Sequence, residues 1–310
     1  MQTRQFRWED LPPLVEFMNR YAAANGRTAQ VTVEQIERSW RAPQNHPEDD
    51  AFVAIENGQI IGYTIADLLD EPHYAFGVYQ VMPGHQKAAQ ALMQATTERF
   101  QAVAFAKSAP DVEIALDWMI PQVNEEAITL CETWGFPLVR QFYKMRTVLD
   151  EPIELRPLPA GFVRRPFEAS QLETVIAAKG EAFHDHWGDQ HDTLEEWQHT
   201  IEQDNFDASL WWVVYAEDQI AGVLMSYPFN ERSGYVSIVG VRQAWRKRGL
   251  AQAMLIQCFA AYRERGFEDV YLDVDSNSST NAVALYQRVG MQVHDRRLYY
   301  RQILRAALNR

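Results

Sequence analysis

The pattern of hydrophobic and polar positions is clearest in the second half of the chain, where it predicts a strand followed by a helix. The segment 235–241 (YVSIVGV) is dense in β-branched and aromatic residues, which predicts a largely buried strand. Over 250–262, apolar residues recur at helical spacing, and the pattern ends at Gly266. A second strand over 270–274 and a second helix over 282–289 follow, so this part of the chain alternates strands and helices.

The first half of the chain repeats this pattern in weaker form. One constant shift aligns 59–62 (QIIG) with 219–222 (QIAG), and the same shift aligns 86–91 (QKAAQA) with 246–251 (RKRGLA). In both halves an apolar segment that reads as a strand precedes the first of these blocks. The chain therefore holds two copies of one α/β unit.

The copies meet in a proline-rich stretch that contains Pro152, Pro157 and Pro159. We place the boundary there and expect two tandem domains, 1–150 and 151–310. Each copy reads as a strand, two helices, three strands, a helix, a strand, a helix and closing strands. This order predicts an α/β fold in which helices flank a central mixed β-sheet.

A basic loop, 246–251, lies between the predicted strand and the predicted helix. The first backbone N–H groups of a helix have no partners inside the helix, and the helix dipole adds positive potential at the same place. Gly249 would let a phosphate approach the backbone closely, because it has no side chain. The loop therefore predicts a phosphate-binding site.

The Arg-x-x-Gly-x-Ala pattern in this loop resembles the pyrophosphate-binding loop of the GNAT acyltransferase family. The later block, 281–291, resembles the part of that family in which an Asn-bearing loop leads to a helix with a Leu-Tyr pair that ends at Gly. The resemblance covers 211–300 strongly and 1–148 weakly. It implies acetyl-CoA as the acyl donor and direct transfer of the acetyl group to an amine in a ternary complex.

By the resemblance, the strand end binds the pantetheine arm through main-chain bonds, and a main-chain N–H near Val239 polarises the thioester oxygen. The loop binds the pyrophosphate, and the residues after the next strand complete the donor site. The resemblance thus implies donor contacts by Val239, Gly240, Val241, Arg246, Lys247, Arg248, Gly249, Leu250, Ala251 and Tyr286. Asn277 and Asn281 are candidate contacts to the pantetheine amides if the loop is shifted from its position in the family.

Tyr286 is the candidate general acid. A phenol with a pKa of about 10 stays protonated at neutral pH and can donate to a leaving thiolate whose conjugate acid has a pKa near about 8.5. The alternative is a core tyrosine with a satisfied hydroxyl. The loop before it departs from the family, because Ser278 and Ser279 occupy the usual asparagine positions; Asn277 and Asn281 bracket them, and Asn281 could equally be the N-cap of the helix.

The general base is the least determined group, since the strand before the loop offers only Tyr235 and Ser237 as polar side chains. Asp273 and Asp275, on and after the next strand, are candidate bases, and the cluster 183–189 (FHDHWGD) is a further candidate. A base is needed because a lysine-like amine, with a pKa of about 10.4, is almost entirely protonated at neutral pH.

Histidines, carboxylates and an aromatic residue follow the first helix of the second copy, where GNAT proteins build the acceptor site. The candidate acceptor residues are His184, Asp185, His186 and Trp187. One alternative is a zinc site formed by these histidines with His191 and Asp185. Another is a solvated loop with Trp187 in the core. We expect no metal.

The first copy has lost the residues on which the chemistry depends. Ala89 stands where the second copy has Gly249, Gln86 replaces Arg246, and Cys131 replaces Tyr286. We therefore expect a degenerate, structural N-terminal domain and a catalytic C-terminal domain, with residual CoA binding by the first copy left open.

Charge and composition narrow the classes of partner. The formal net charge of −13 disfavours nucleic acid and favours a cationic amine acceptor, either a small molecule or a peptide. No segment has the length of a membrane span or the apolar core of a signal peptide, so we expect a cytoplasmic monomer or homodimer. The two cysteines, Cys131 and Cys258, should be buried thiols. A CoA-binding sensor without turnover is the alternative function, and an ATP-binding protein is disfavoured because no GKS or GKT sequence is present.

Overall fold

The computed structural model describes residues 1–25, 31–42, 45–68, 72–184, 193–203, 206–278 and 280–307. The strands and helices follow the predicted order in both copies, except that the first copy has one additional short helix, α3. In chain order they are β1 (Gln2–Gln5), α1 (Leu11–Ala24), α2 (Val33–Trp40), α3 (Pro47–Asp50), β2 (Ala51–Glu56), β3 (Gln59–Leu68), β4 (Tyr74–Val81), α4 (Gln86–Lys107), β5 (Ile114–Pro121), α5 (Glu125–Thr133), β6 (Leu138–Val148), β7 (Phe162–Pro166), α6 (Leu172–Phe183), α7 (Leu194–Ile201), β8 (Trp211–Ala216), β9 (Gln219–Pro228), β10 (Ser233–Val241), α8 (Leu250–Glu264), β11 (Asp269–Asp275), α9 (Ala282–Arg288) and β12 (Gln292–Arg305).

The chain divides into two compact units, and their boundaries differ from a single domain boundary near Asp150. Unit 1 comprises 1–141 and 296–310, and unit 2 comprises 142–295. The difference arises from strand pairing: β12 pairs with β5 of the first repeat, and β6 pairs with β11 of the second repeat. The sequence repeat follows the two copies, whereas the compact units follow the hydrogen bonds of the last strands.

Unit 1 is a mixed sheet with the strand order β1-β2-β3-β4-β5-β12, in which only the β4–β5 pair is parallel. Neighbouring strand residues point to opposite faces, so Val53 packs with α1 and Ala54 packs with α4. Cys131 is buried in the α4 core. The predicted helix-flanked mixed sheet is confirmed here.

Unit 2 repeats this arrangement with the strand order β6-β11-β10-β9-β8-β7, and only β10 and β11 are parallel. Val213 packs into the core beneath α6, and Val214 packs into the core beneath α8. Cys258 lies in the α8 core and, like Cys131, is a buried thiol without a disulfide, as the sequence predicted.

Across the described ranges, no helix is both long and apolar enough to cross a membrane.

Candidate functional site

The central feature of unit 2 is a parallel strand pair that separates partway along its length. Backbone pairing between β10 and β11 runs from Ser233↔Asp269 to Tyr235↔Tyr271 and then stops, although β10 continues to Val241. On the opposite edge of β10, the antiparallel pairing with β9 shifts register between Val236 and Ile238. The pairing with β11 therefore ends before Val239. From there on, the backbone groups of β10 that face β11 can bind an extended ligand as a further strand would.

The separated strand leads directly to the predicted phosphate loop. Gly249 is the N-cap of α8 and has a left-handed backbone, with φ of +80°, which a residue with a side chain rarely adopts. No side chain caps the helix. The N–H groups of Leu250 and Ala251 belong to the first turn of a fifteen-residue helix and so point toward the loop.

The three basic residues of this loop lie in different environments. Lys247 and Arg248 are exposed, and Lys247 has a positive φ of 62°. The Arg246 guanidinium instead faces backbone oxygens: its Nε donates to the carbonyl of Val241 at 3.0 Å, and its Nη2 donates to the carbonyl of Ala182 at 2.9 Å. Lys247 and Arg248 therefore supply the solvent-facing charge of the loop.

Gly240 lies where the end of α6 meets β10. A Cβ at residue 240 would stand 2.8 Å from the Phe183 ring and 3.0 Å from the Ala182 Cβ, closer than side chains tolerate. The glycine thus permits the close approach of helix and strand. As a result, the C-terminal end of α6 forms a wall beside Val239, Gly240 and Val241.

Tyr286 is on α9, in the core that also holds Val274 of β11. The residue is 8 % exposed, and burial raises the pKa of its phenol well above the ordinary value. No described group forms a hydrogen bond with its hydroxyl. The hydroxyl is therefore kept protonated, and within the described residues it is not committed to a protein partner.

The two candidate bases lie in unlike positions. Asp273 accepts a 2.7 Å hydrogen bond from the Tyr235 hydroxyl, on the sheet face that carries Lys144. Asp275 is 2 % exposed, and its Oδ1 accepts the N–H of Asn277 at 2.9 Å. Asp275 therefore organises the turn after β11, whereas Asp273 lies beside the separated strands.

The two candidate asparagines are both exposed. The backbone of Asn277 is bound by Asp275. Asn281 occupies the N-cap position of α9 with a left-handed φ of 55°, but its side chain makes no capping hydrogen bond. Asn281 therefore stands at the N-cap position of α9, but its side chain does not cap the helix.

The predicted acceptor cluster falls mostly outside the described residues. His184 is exposed and ends α6. Asp185, His186 and Trp187 lie outside the described ranges, as does His191. Within the described part of the chain, no group of three or more His, Cys, Asp or Glu side chains is placed to hold a metal ion.

The corresponding region of unit 1 is built differently. There the parallel pairing continues from Tyr74↔Ala115 to Val78↔Met119, which leaves only the last residues of β4 beyond it. In the loop that follows, the Gly84 N–H donates to both carboxylate oxygens of Glu126, at 2.9 and 3.1 Å, so a carboxylate of the protein itself binds this loop.

Sequence reasoning missed the residues that connect α6 to the loop. Arg242 donates from Nε to Glu181 at 2.6 Å and from Nη1 to the carbonyl of Ile220 at 2.8 Å, and its guanidinium lies over the Trp245 ring. Arg242 and Arg246 are four residues apart in the same loop region, a spacing that could have drawn attention to them as a pair.

The sequence of unit 2 matches a known protein family, and the chain is similar to named relatives. Residues 173–291 match the family described as "Acetyltransferase (GNAT) family". A mycothiol acetyltransferase from Actinosynnema mirum is 29% identical over 248 residues, with 77% of this chain and 79% of the relative covered. The family match and the named relative thus indicate an acetyltransferase.

Similar solved structures extend the match to the whole chain. A GCN5-related N-acetyltransferase from Sphaerobacter thermophilus is 25% identical, with a TM-score of 0.85, and the match covers 100% of this chain and 97% of that one. A tandem GNAT protein from the clavulanic acid biosynthesis pathway shares the fold at 14% identity, with a TM-score of 0.71 and 97% and 98% of the chains covered. Residues 173–291 thus carry an acetyltransferase domain that matches the GNAT family, and the predicted tandem GNAT layout is confirmed.

Proposed function

We propose that unit 2 transfers an acetyl group from acetyl-CoA directly to an amine of a small molecule or peptide. The observation that carries this proposal is the end of β10–β11 pairing at Tyr235↔Tyr271, followed by a strand that leads into a glycine-capped helix. A strand edge with open backbone groups suits the amides of pantetheine, and an uncapped helix N-terminus suits the pyrophosphate. One ligand that contains both groups in sequence is an acyl-CoA.

In this proposal the donor is held mainly by backbone. The groups of Val239, Gly240 and Val241 bind the pantetheine arm, and a main-chain N–H near Val239 polarises the thioester carbonyl. The N–H groups of Arg248, Gly249, Leu250 and Ala251 bind the pyrophosphate. Lys247 and Arg248 add charge at the exposed side of the loop, and Asn277 and Asn281 lie exposed at the turn after β11, where they are available to the pantetheine amides.

Tyr286 is the proposed acid for the leaving thiolate. Its phenol is protonated at neutral pH because burial raises its pKa, and its hydroxyl has no described protein partner. The proton passes to the sulfur as the bond between the thioester carbon and sulfur breaks. The second proton that the nitrogen releases restores the Tyr286 phenol, directly or through water, so free CoA thiol and the acetylated amine are the products.

Asp273 is the proposed base, acting directly or through water, and we assign Asp275 to the turn. The Tyr235 hydroxyl holds the Asp273 carboxylate in place on the sheet face next to the separated strands. Asp275 is buried and bound to the Asn277 backbone, which makes it poorly suited to meet an ammonium group. The acceptor nitrogen loses its proton to Asp273 before or during attack on the thioester carbon.

Unit 1 is proposed to be structural and to bind no acyl-CoA. Two observations support this: β4 and β5 remain paired up to Val78↔Met119, and Glu126 occupies the backbone donor of Gly84. Calorimetry with acetyl-CoA should therefore give about one bound donor per chain, and Lys87→Met should leave that value unchanged. Two donors per chain would contradict this part of the proposal.

The central test is a screen for acceptors with acetyl-CoA as the donor. Free-thiol release is measured over amines, amino acids, aminoglycosides and cysteinyl thiols, and the product is identified by mass spectrometry. The cysteinyl compounds are included because relatives are named mycothiol acetyltransferase. Acceptor-dependent thiol release with an N-acetyl product supports the proposal. Binding of acetyl-CoA without release from any acceptor would overturn it.

A further inference from the structure

Two arginines connect the donor loop of unit 2 to the end of helix α6. Arg246 donates to the Ala182 carbonyl, and Arg242 forms an ion pair with Glu181 at 2.6 Å. We call Arg242 and Arg246 the arginine clamp. Ala182 and Glu181, which the two arginines contact, are both in the last turn of α6, so the clamp holds that turn at two points.

The geometry of Arg246 suits this role better than phosphate binding. Two of its three guanidinium nitrogens, Nε and Nη2, are directed at the carbonyls of Val241 and Ala182. A planar guanidinium that makes two such bonds is fixed in orientation, and it also satisfies a carbonyl near the C-terminal end of α6 that has no partner inside the helix. Lys247 and Arg248 are both exposed. Arg248 makes one 3.3 Å bond, from Nη2 to the carbonyl of Ala244, and its other guanidinium nitrogens remain to face an anion.

The clamp acts on the strand that would hold the thioester. The α6 turn that it holds places Phe183 and Ala182 directly against Gly240. Gly240 lies between Val239 and Val241, the backbone proposed to bind pantetheine and to polarise the carbonyl. Loss of the clamp would therefore release the wall behind this strand without removing any donor contact.

Unit 1 lacks the clamp. Met82 and Gln86 stand at the positions of Arg242 and Arg246. The backbone is alike at the first position, since Met82 N bonds to Ile61 O as Arg242 N bonds to Ala221 O, both at 3.0 Å. It differs at the second, because Gln86 begins α4 whereas Arg246 lies in extended backbone before α8. Among the described residues, no side-chain hydrogen bond joins Met82 or Gln86 to α1. The clamp is thus confined to the unit that we propose to be catalytic.

We propose that Arg246 and Arg242 are positioning residues for acetyl transfer and that the Arg246 guanidinium does not bind the pyrophosphate. This inference rests on the proposed function, because it assigns the donor site to the same loop. It departs from the sequence-based expectation that Arg246 contacts the donor. The clamp keeps the α6 wall against Gly240, so that the strand holds the thioester in the reactive position.

The test compares Arg246→Lys with Arg248→Met. Lysine keeps the positive charge that a phosphate needs but cannot make the two planar bonds of the clamp, whereas Arg248→Met removes a charge from the same loop and leaves α6 untouched. We expect Arg246→Lys to keep the acetyl-CoA dissociation constant within about 3-fold of wild type while kcat falls about 10-fold or more. Arg248→Met should do the reverse, weakening donor binding with a smaller effect on kcat.

Hydrogen exchange supplies a readout that does not depend on turnover. The amides of 178–184 should exchange faster in Arg246→Lys and in Arg242→Met, and they should be unchanged in Arg248→Met. Thermal unfolding of Arg246→Lys should stay within about 4 °C of wild type, which separates positioning from global destabilisation.

The outcomes separate this inference from the proposed function. Full rescue of kcat by lysine, or unchanged exchange at 178–184, would overturn the clamp. A large loss of donor affinity in Arg246→Lys would also overturn it, because the guanidinium would then be a phosphate ligand. If wild-type protein neither binds acetyl-CoA nor releases thiol, the proposed function fails, and the exchange measurement still decides whether the two arginines hold α6.

Discussion

Gly249 and Gly266 lie just outside the two ends of helix α8 and both have a positive φ, of +80° and +84°. A Cβ built on either residue would meet no atom within 4 Å. Both glycines are therefore required by backbone conformation and not by crowding within the protein. They differ in what lies near them, since only Gly249 adjoins the proposed pyrophosphate site.

The first prediction uses this pair as test and control. Gly249→Val and Gly266→Val should each destabilise the fold by about 1–2 kcal/mol, because a side chain is strained at positive φ. Only Gly249→Val should abolish acetyl-CoA binding, since its side chain would also block the phosphate. Calorimetry measures donor binding and urea unfolding measures stability. Equal donor affinity in the two variants would refute the loop assignment.

The second prediction concerns the acid. Tyr286→Phe should slow turnover by about 10²-fold or more with little change in acetyl-CoA affinity, because only proton donation is lost. Tyr262→Phe is the matched control, since Tyr262 is also buried in the core of unit 2 and the pKa of its phenol is also raised by burial. Steady-state thiol release measures both. Unchanged turnover in Tyr286→Phe would remove Tyr286 from the mechanism.

The third prediction distinguishes the two aspartates. Asp273→Asn should lower kcat at neutral pH, and its activity should recover toward high pH, where more of the acceptor amine is neutral. Asp275→Asn should mainly perturb the turn after β11, which carries Asn277, because the amide replaces the carboxylate that accepts the Asn277 N–H.

The control for this pair is Tyr235→Phe, which removes the hydrogen bond to Asp273 and keeps the charge of the carboxylate. A pH–rate profile for each variant is the measurement. A profile for Asp273→Asn that keeps the wild-type shape would exclude Asp273 as the base.

The fourth prediction is loss of stability at alkaline pH. Burial raises the pKa values of Tyr63, Tyr262 and Tyr286 in the folded chain above the unfolded value of about 10. The folded state therefore holds protons that the unfolded state has released. Each tyrosine's contribution to stability is complete below about pH 10 and decreases by about 1.4 kcal/mol per pH unit above it.

Urea unfolding between about pH 9 and pH 11 tests this expectation. Tyr63→Phe and Tyr262→Phe should each make the fall in the free energy of unfolding shallower. A free energy of unfolding that does not change across this range would contradict the prediction for all three residues.

The local structure of the proposed donor loop could be predicted from the sequence because its signals are local. The β-branched strand, the helical spacing after Leu250 and the glycine between them lie within a short stretch of chain. The same locality made the loss of Gly249 and Arg246 from the first copy visible as Ala89 and Gln86. Buried Cys131 and Cys258 followed in the same way from their apolar helical surroundings.

Other features depend on residues that are distant in sequence. The assignment of β12 to unit 1 and of β6 to unit 2 depends on which strand edge is open after folding, and the repeat pattern holds no information about that edge. The distinction between Asp273 and Asp275 likewise depends on Tyr235 and Asn277, which reach them through the sheet and the turn.

The sequence by itself determined the repeated α/β unit, the glycine loop at a helix N-terminus and the copy that retains the loop, because hydrophobic period and glycine position are properties of neighbouring residues. Only the tertiary structure decided where β10 and β11 separate and where the guanidinium of Arg246 points. Strand separation results from hydrogen bonds between distant segments. The direction of a long, flexible side chain is set by whichever carbonyls the fold brings within its reach, here those of Val241 and Ala182.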